Sequence, residues 1–200
     1  MFMNGFPAIK EIGVGEFLLG TEWRRGQNLF GRFPMIVGSI YVTAGAIIFG
    51  VPVGILCAIF MTYYCPKKLY SVLKPAVGLL AGIPSIVYGF FGLVVIVPIM
   101  QKIFSTNGKG ILTAALLLGI MILPTIIEVT ESSLRAVQES YFEGSLALGA
   151  TKERTIFKSV MVAAKSGVMS GVILGVGRAI GETMAVIMVA GNQAALPNSI

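Results

Sequence analysis

The sequence predicts an all-α membrane protein, a polytopic helical bundle, and three observations carry that expectation. Of its 200 residues 56% are hydrophobic and only 12% charged, with a mean hydropathy of +0.87, far above a soluble globular domain. Four stretches are almost free of strong charge: Phe33 to Pro66, Pro75 to Gln101, Gly110 to Ile127, and Ser166 to Gly191, the last interrupted by Arg178 and Glu182 alone. About 20 apolar residues cross roughly 30 Å of hydrocarbon, so all four can span. Small residues also recur every fourth position, at Gly167, Gly171 and Gly175 and again at Gly177 and Gly181. Such rows let helix backbones approach closely in lipid.

Taken in order, residues 1–33 are mixed in character and read as an extracytoplasmic segment. The start "MFMNGFPAIKEIG" lacks the basic lead and apolar run of a signal peptide. Trp23 and the basic "RRGQNLFGRFP" approach the first span, at about 34–64, where Gly50, Pro52 and Gly54 are expected to bend the helix. The next connection, "CPKKLYSVLK", is short and carries Lys67, Lys68 and Lys74, which favours the cytoplasmic side. On that orientation eight Lys or Arg residues lie inside and six outside.

The second span, about 75–101, contains "AGIPSIVYGFFG", where Gly82, Pro84 and Gly89 interrupt helical bonding. Freed carbonyls in a membrane must be buried in protein or face a water-filled cavity, so Ser85 and Tyr88 are candidates to line one; a kink made for packing explains the pattern equally well. The third span, about 110–128, holds Pro124, read as a packing feature. The fourth, about 166–191, reads as a core helix, and residues 34–200 as one transmembrane domain.

Between the third and fourth spans, residues 129–165 form a cytoplasmic loop. Ser140 followed by Glu143 fits a capping box opening a short helix. Gly149 suits its end, because glycine accepts the left-handed backbone that stops a helix. "ATKERTIFKSVMV" then starts another helix leading back to the membrane.

Several function classes are disfavoured. The formal charge of +6 is spread through loops rather than gathered into a nucleic-acid face. "GVGRAIG" is one residue too long for a dinucleotide fingerprint, and no Walker spacing exists near "NGKG". The chain has no His, no Asp and two cysteines, Cys57 and Cys65, which argues against a metal cluster, a disulfide framework and an intramembrane acid–base enzyme.

Glu143, small residues at 144 and 145, and Gly149 six positions after the Glu resemble the cytoplasmic EAA loop of ABC importer permeases, with Gly144 and Ser145 in place of two alanines and Ser159 and Val162 at the late Ile and Pro. The blocks "FPMIVGSIYVTAGAIIFGVPVGILCAIFM", "LLAGIPSIVYGFFGLVVIVPIM", "GIMILPTI", "LALGATKERTIFKSVMVAAKSGV" and "GRAIGETMAVIMVAGN" extend the likeness over nearly residues 23 to 192. Together they are similar to the phosphate-specific (Pst) permeases, the PstC-type subunit more than its PstA-type partner. The resemblance implies a type I, MetI-like bundle of six spans, of which four are present here. It also implies a bacterial cytoplasmic (inner) membrane location. A PstA-type permease, a dimer of PstB-type ATPase and a PstS-type binding protein are the implied partners, alongside lipid and without nucleic acid. On this reading the chain is a transporter subunit, not an enzyme: the partner ATPase binds ATP and Mg, and Glu143, Gly144, Ser145 and Gly149 dock on it. Permeases for sulfate, molybdate or other solutes share the loop, and a channel without an energy source has no need of it.

The two charges in "GRAIGETMAV" then acquire a meaning. Arg178 lies twelve residues past Ser166, about 18 Å of helix, where a charge costs roughly 2.5 to 3.5 kcal/mol on insertion scales. A guanidinium fork matches phosphate oxygens, so Arg178 is the candidate anion contact. Glu182, one turn on, is expected to pair with it when no anion is present. Thr183 and Asn192 follow as further polar candidates. A structural ion pair locking the helix is the competing reading.

Overall fold

The computed structural model describes residues 19–20, 23–24, 29–30, 32–105 and 107–191. The readings placed on residues 1–18 and on Asn192 fall outside them, as does the side chain of Trp23. A two-residue antiparallel ribbon, β1 (Trp23–Arg24) and β2 (Leu29–Phe30), precedes the bundle. Eight helical segments follow: α1 (Phe33–Tyr64), α2 (Lys67–Gly82), α3 (Ser85–Phe104), α4 (Ile111–Arg135), α5 (Glu139–Ala147), α6 (Lys152–Ala163), α7 (Lys165–Gly181) and α8 (Met184–Ala190).

By length and composition α1, α3 and α4 can each cross a membrane, and α6 with α7, bent by 76° at Ala164, makes a fourth crossing if the pair is one span. α1 runs through Pro52, and α4 through Pro124, without a break. The proline before α3 acts differently. Ile83 adopts φ −69°, ψ 128°, the extended conformation that a following proline imposes. The predicted second span therefore divides into α2, which ends at Gly82, and α3, which starts at Ser85.

α4 is the centre of the bundle. Leu117, Leu118, Met121, Ile122 and Ile126 on it are almost fully buried, and its most extensive contacts are with α1 and α7. Ile126 is held from both sides: a methyl at Gly54 of α1 would stand 2.8 Å from its Cγ2, and one at Gly175 of α7 2.8 Å from its Cγ1. Along α7, Gly171 faces Val129 and Thr130, and Gly167 faces Ser133. This is the close approach expected of the small-residue row. Gly177 and Gly181, the second row, meet nothing within 4 Å among the described residues.

The predicted fourth span also divides. Glu182 leaves the helical region at φ −82°, ψ 117°, so α7 stops at Gly181 and a separate α8 begins at Met184. α8 packs on α3, with Ala185 and Met188 against Gly89 and Val189 against Gly92. The two broken helices are thus neighbours.

Candidate functional site: two helix breaks and an exposed helix

Arg178 sits in the last turn of α7 and is half-buried. Its Nη1 donates to Thr125 Oγ1 on α4 at 3.3 Å, and its charge lies within electrostatic reach of Tyr88. The expected pairing with Glu182 is corrected. Among the described residues the ion pairs join Lys74 and Arg135 to Glu131, and Arg178 and Glu182 form none. The i,i+4 argument assumed one continuous helix, and the chain leaves the helix at Glu182. The Glu182 carboxylate turns instead to the start of α8, where Oε1 accepts from the Ala185 amide at 3.1 Å. A negative side chain at the positive end of a helix satisfies one of its orphan amides.

Thr183 is exposed and precedes α8 without a side-chain cap bond; its carbonyl accepts from the Ile187 amide. Ser85 is half-buried at the start of α3. Tyr88 is 6% exposed, and its hydroxyl donates to the Leu80 carbonyl at 2.8 Å. That carbonyl would ordinarily accept from residue 84, but proline has no N–H. Tyr88 therefore ties α3 back to α2 across the break, sharing the Leu80 carbonyl with the Ile83 amide. Tyr88→Phe is expected to destabilise the protein by about 1 kcal/mol, read as a lowered thermal unfolding midpoint of the detergent-solubilised protein against the parent chain.

The short helix expected after α4 forms, but two residues earlier than the capping box predicts. Gln138 is extended at φ −58°, ψ 136°, no side chain caps α5, and Ser140 is already inside the helix. A hydroxyl with helical backbone angles on both sides is past the cap position. The far end follows the sequence reading. Gly149 has φ +83°, its amide bonds to the Leu146 carbonyl at 2.9 Å, and the Ala150 amide to the Ser145 carbonyl at 3.2 Å. This is the paired bonding of a Schellman cap. Thr151 then caps α6 by accepting from the Arg154 amide.

α5 buries none of its residues and is held by a few specific contacts. Phe142 stacks on Tyr63 of α1 with ring centres 5.7 Å apart. Thr155 Oγ1 donates to Ser145 Oγ at 3.0 Å, and Ser159 Oγ to the Tyr141 carbonyl at 3.3 Å. Lys152 Nζ donates to the Tyr63 carbonyl and lies over the Tyr64 ring. Glu143 and Gly144 point to no partner among these contacts and are exposed. Leu148 is 91% exposed at the tip.

Residues 50–199 match the family described as "Binding-protein-dependent transport system inner membrane component". The chain belongs to this family. It is therefore an inner-membrane protein with the all-α bundle of such components. It is 42% identical over 203 residues to the "Probable ABC transporter permease protein YqgH" of Bacillus subtilis, covering 98% of this chain and 65% of that one. It is also 36% identical to the "Phosphate transport system permease protein PstC" of Mesorhizobium japonicum, covering 100% of this chain and 67% of the relative. A methionine ABC transporter, MetNI, solved in inward-facing form shares the fold, with a TM-score of 0.63 at 21% identity over 80% of this chain and 74% of that one. The chain spans about two thirds of the length of these curated relatives.

The structure of this family member adds a group the sequence reading passed over. Glu131, in the predicted loop but within α4, is 1% exposed. Its carboxylate accepts from Tyr70 Oη at 2.6 Å, Lys74 Nζ at 2.8 Å and Arg135 Nε at 2.9 Å. The hydrogen bond to Glu131 raises both the Lys74 ammonium and the Tyr70 phenol above their ordinary values. Only the Glu131 and Arg135 spacing of four was a local signal; the α2 partners lie 57 and 61 residues away.

Proposed function

We propose that this chain is the PstC-type, membrane-spanning subunit of an ATP-driven importer, and that it conducts inorganic phosphate into the cell. One observation carries the anion reading: an arginine in the membrane-embedded bundle whose recorded hydrogen-bond partner is a neutral hydroxyl, Thr125, not a carboxylate. With Glu182 engaged at the start of α8, the guanidinium keeps donors for a tetrahedral oxyanion. Thr183 and Ser85 offer hydroxyls at the two breaks, and Tyr88 sets the position of α3 beside them. Similarity to phosphate permeases of the PstC type favours phosphate over other oxyanions.

Movement against a gradient needs energy, and the chain brings no nucleotide loop of its own. On this reading ATP and Mg are bound by a PstB-type ATPase dimer, a PstA-type subunit completes the membrane domain, and a PstS-type protein delivers the anion. α5 is the coupling helix: Glu143, Gly144 and Ser145 lie along it, and the Gly149 cap ends it so that Leu148 projects as an apolar anchor for the ATPase. In proteoliposomes holding the full complex, ATP-dependent uptake of labelled phosphate is expected, with sulfate and molybdate competing poorly. Uptake of sulfate or molybdate in preference to phosphate would overturn the substrate assignment.

A further inference from the structure

We propose that Glu131 is the positioning residue through which movement of the cytoplasmic helix reaches the broken second span, an inference that rests on the importer reading above. α2 is a helix of 16 residues that buries Val77 alone. Its apolar hold on α4 is the cluster of Val77 with Met61 and Ile127, against which Tyr70 and Leu73 of α2 and Leu123 of α4 pack half-buried. The other attachment is polar: Tyr70 and Lys74, one turn apart on α2, both bond to the Glu131 carboxylate. Arg135 closes the node from α4 itself, lies 4.8 Å from the centre of the Tyr70 ring, and donates to the Met61 carbonyl at the end of α1 at 3.5 Å. Two helices therefore meet on one buried carboxylate, and Arg135 ties the end of α1 to the same node.

Position gives the node its consequence. α4 ends at Arg135 and α5 begins at Glu139, so a shift of α5 acts directly on the helical turn that carries the node. At its other end α2 stops at the Ile83 and Pro84 break and feeds α3, whose Tyr88 bonds back to Leu80 of α2 and whose Gly89 packs on Ala185 of α8, the helix that follows Arg178 and Glu182. A push on α5 thus reaches the proposed anion contact by α4, the node, α2 and the break. A buried ion cluster is weak as a source of net stability, because desolvation offsets its attraction, but removing one member leaves the others uncompensated. It is well suited to fixing one relative position of the two helices.

The test uses the full complex in proteoliposomes, with ATP hydrolysis and phosphate uptake measured together. Glu131→Gln keeps an acceptor for Tyr70 but removes the charge that holds Lys74 and Arg135. Lys74→Met removes one partner from a half-exposed position and leaves the rest of the node in place. Both are expected to retain ATP hydrolysis within about twofold per assembled complex, while phosphate moved per ATP falls at least tenfold. The double variant should fall no further than Glu131→Gln alone, since contacting residues are not additive, and Glu131→Asp should recover part of the ratio. If hydrolysis and uptake drop together in proportion to complex yield, or the ratio stays at the parent value in Lys74→Met, the positioning role is wrong. If the parent complex itself moves no phosphate, the importer reading has failed instead.

Discussion

Arg178→Gln is expected to reduce phosphate uptake at least tenfold while the chain still inserts and assembles. The substitution keeps length and a donor for Thr125 but removes the charge and the fork. A hydrogen bond to a charged group contributes about 1.5–3 kcal/mol, and each 1.4 kcal/mol is about tenfold in an equilibrium. Arg178→Lys should fall between, because an ammonium restores charge without two parallel bonds. Initial rates of labelled phosphate uptake, normalised to assembled complex, measure this. Glutamine behaving like the parent would remove Arg178 from the anion path and leave it as a tie between α7 and α4.

Gly149→Val is expected to abolish recruitment of the ATPase and with it uptake. At φ +83° a β-branched residue is strained by at least about 1–2 kcal/mol, and the escape from that strain is loss of the cap that orients Leu148. α5 buries nothing of its own, so it has little packing with which to resist. Gly149→Asn should retain most function, since asparagine tolerates the left-handed region best among residues with a side chain. Co-purification of the ATPase with the membrane subunits distinguishes the two variants, and equal recovery with valine would exclude the cap from docking.

These two positions differ in how much of them was legible beforehand. Gly149 was readable because a helix cap is a local device: the residue, its left-handed angle and the bonds that close it lie within a few positions. The surroundings of Arg178 were not. A Glu four residues after an Arg predicts a pair on one helical face, and the prediction failed because Glu182 takes an extended ψ and spends its carboxylate on the next helix. The capping box failed by a smaller margin, since Gln138, not Ser140, stands at the turn into α5.

Hydropathy, small-residue spacing and the positions of proline and glycine by themselves determined that the chain is an α-helical membrane bundle, that a break falls at Pro84, that α7 approaches another helix along Gly167, Gly171 and Gly175, and that a short helix closed by Gly149 follows the third span. Each rests on periodicity or on the covalent limits of proline and glycine, which act within a few residues. Only the tertiary structure decided that Ile126 of α4 fills the space between two of those glycines, that Tyr88 supplies the hydrogen bond proline cannot, and that Glu131 gathers Lys74 and Tyr70 from another helix. Those choices depend on groups far apart in the chain. A buried carboxylate or a freed carbonyl must find a donor wherever folding brings one, and no local pattern names which.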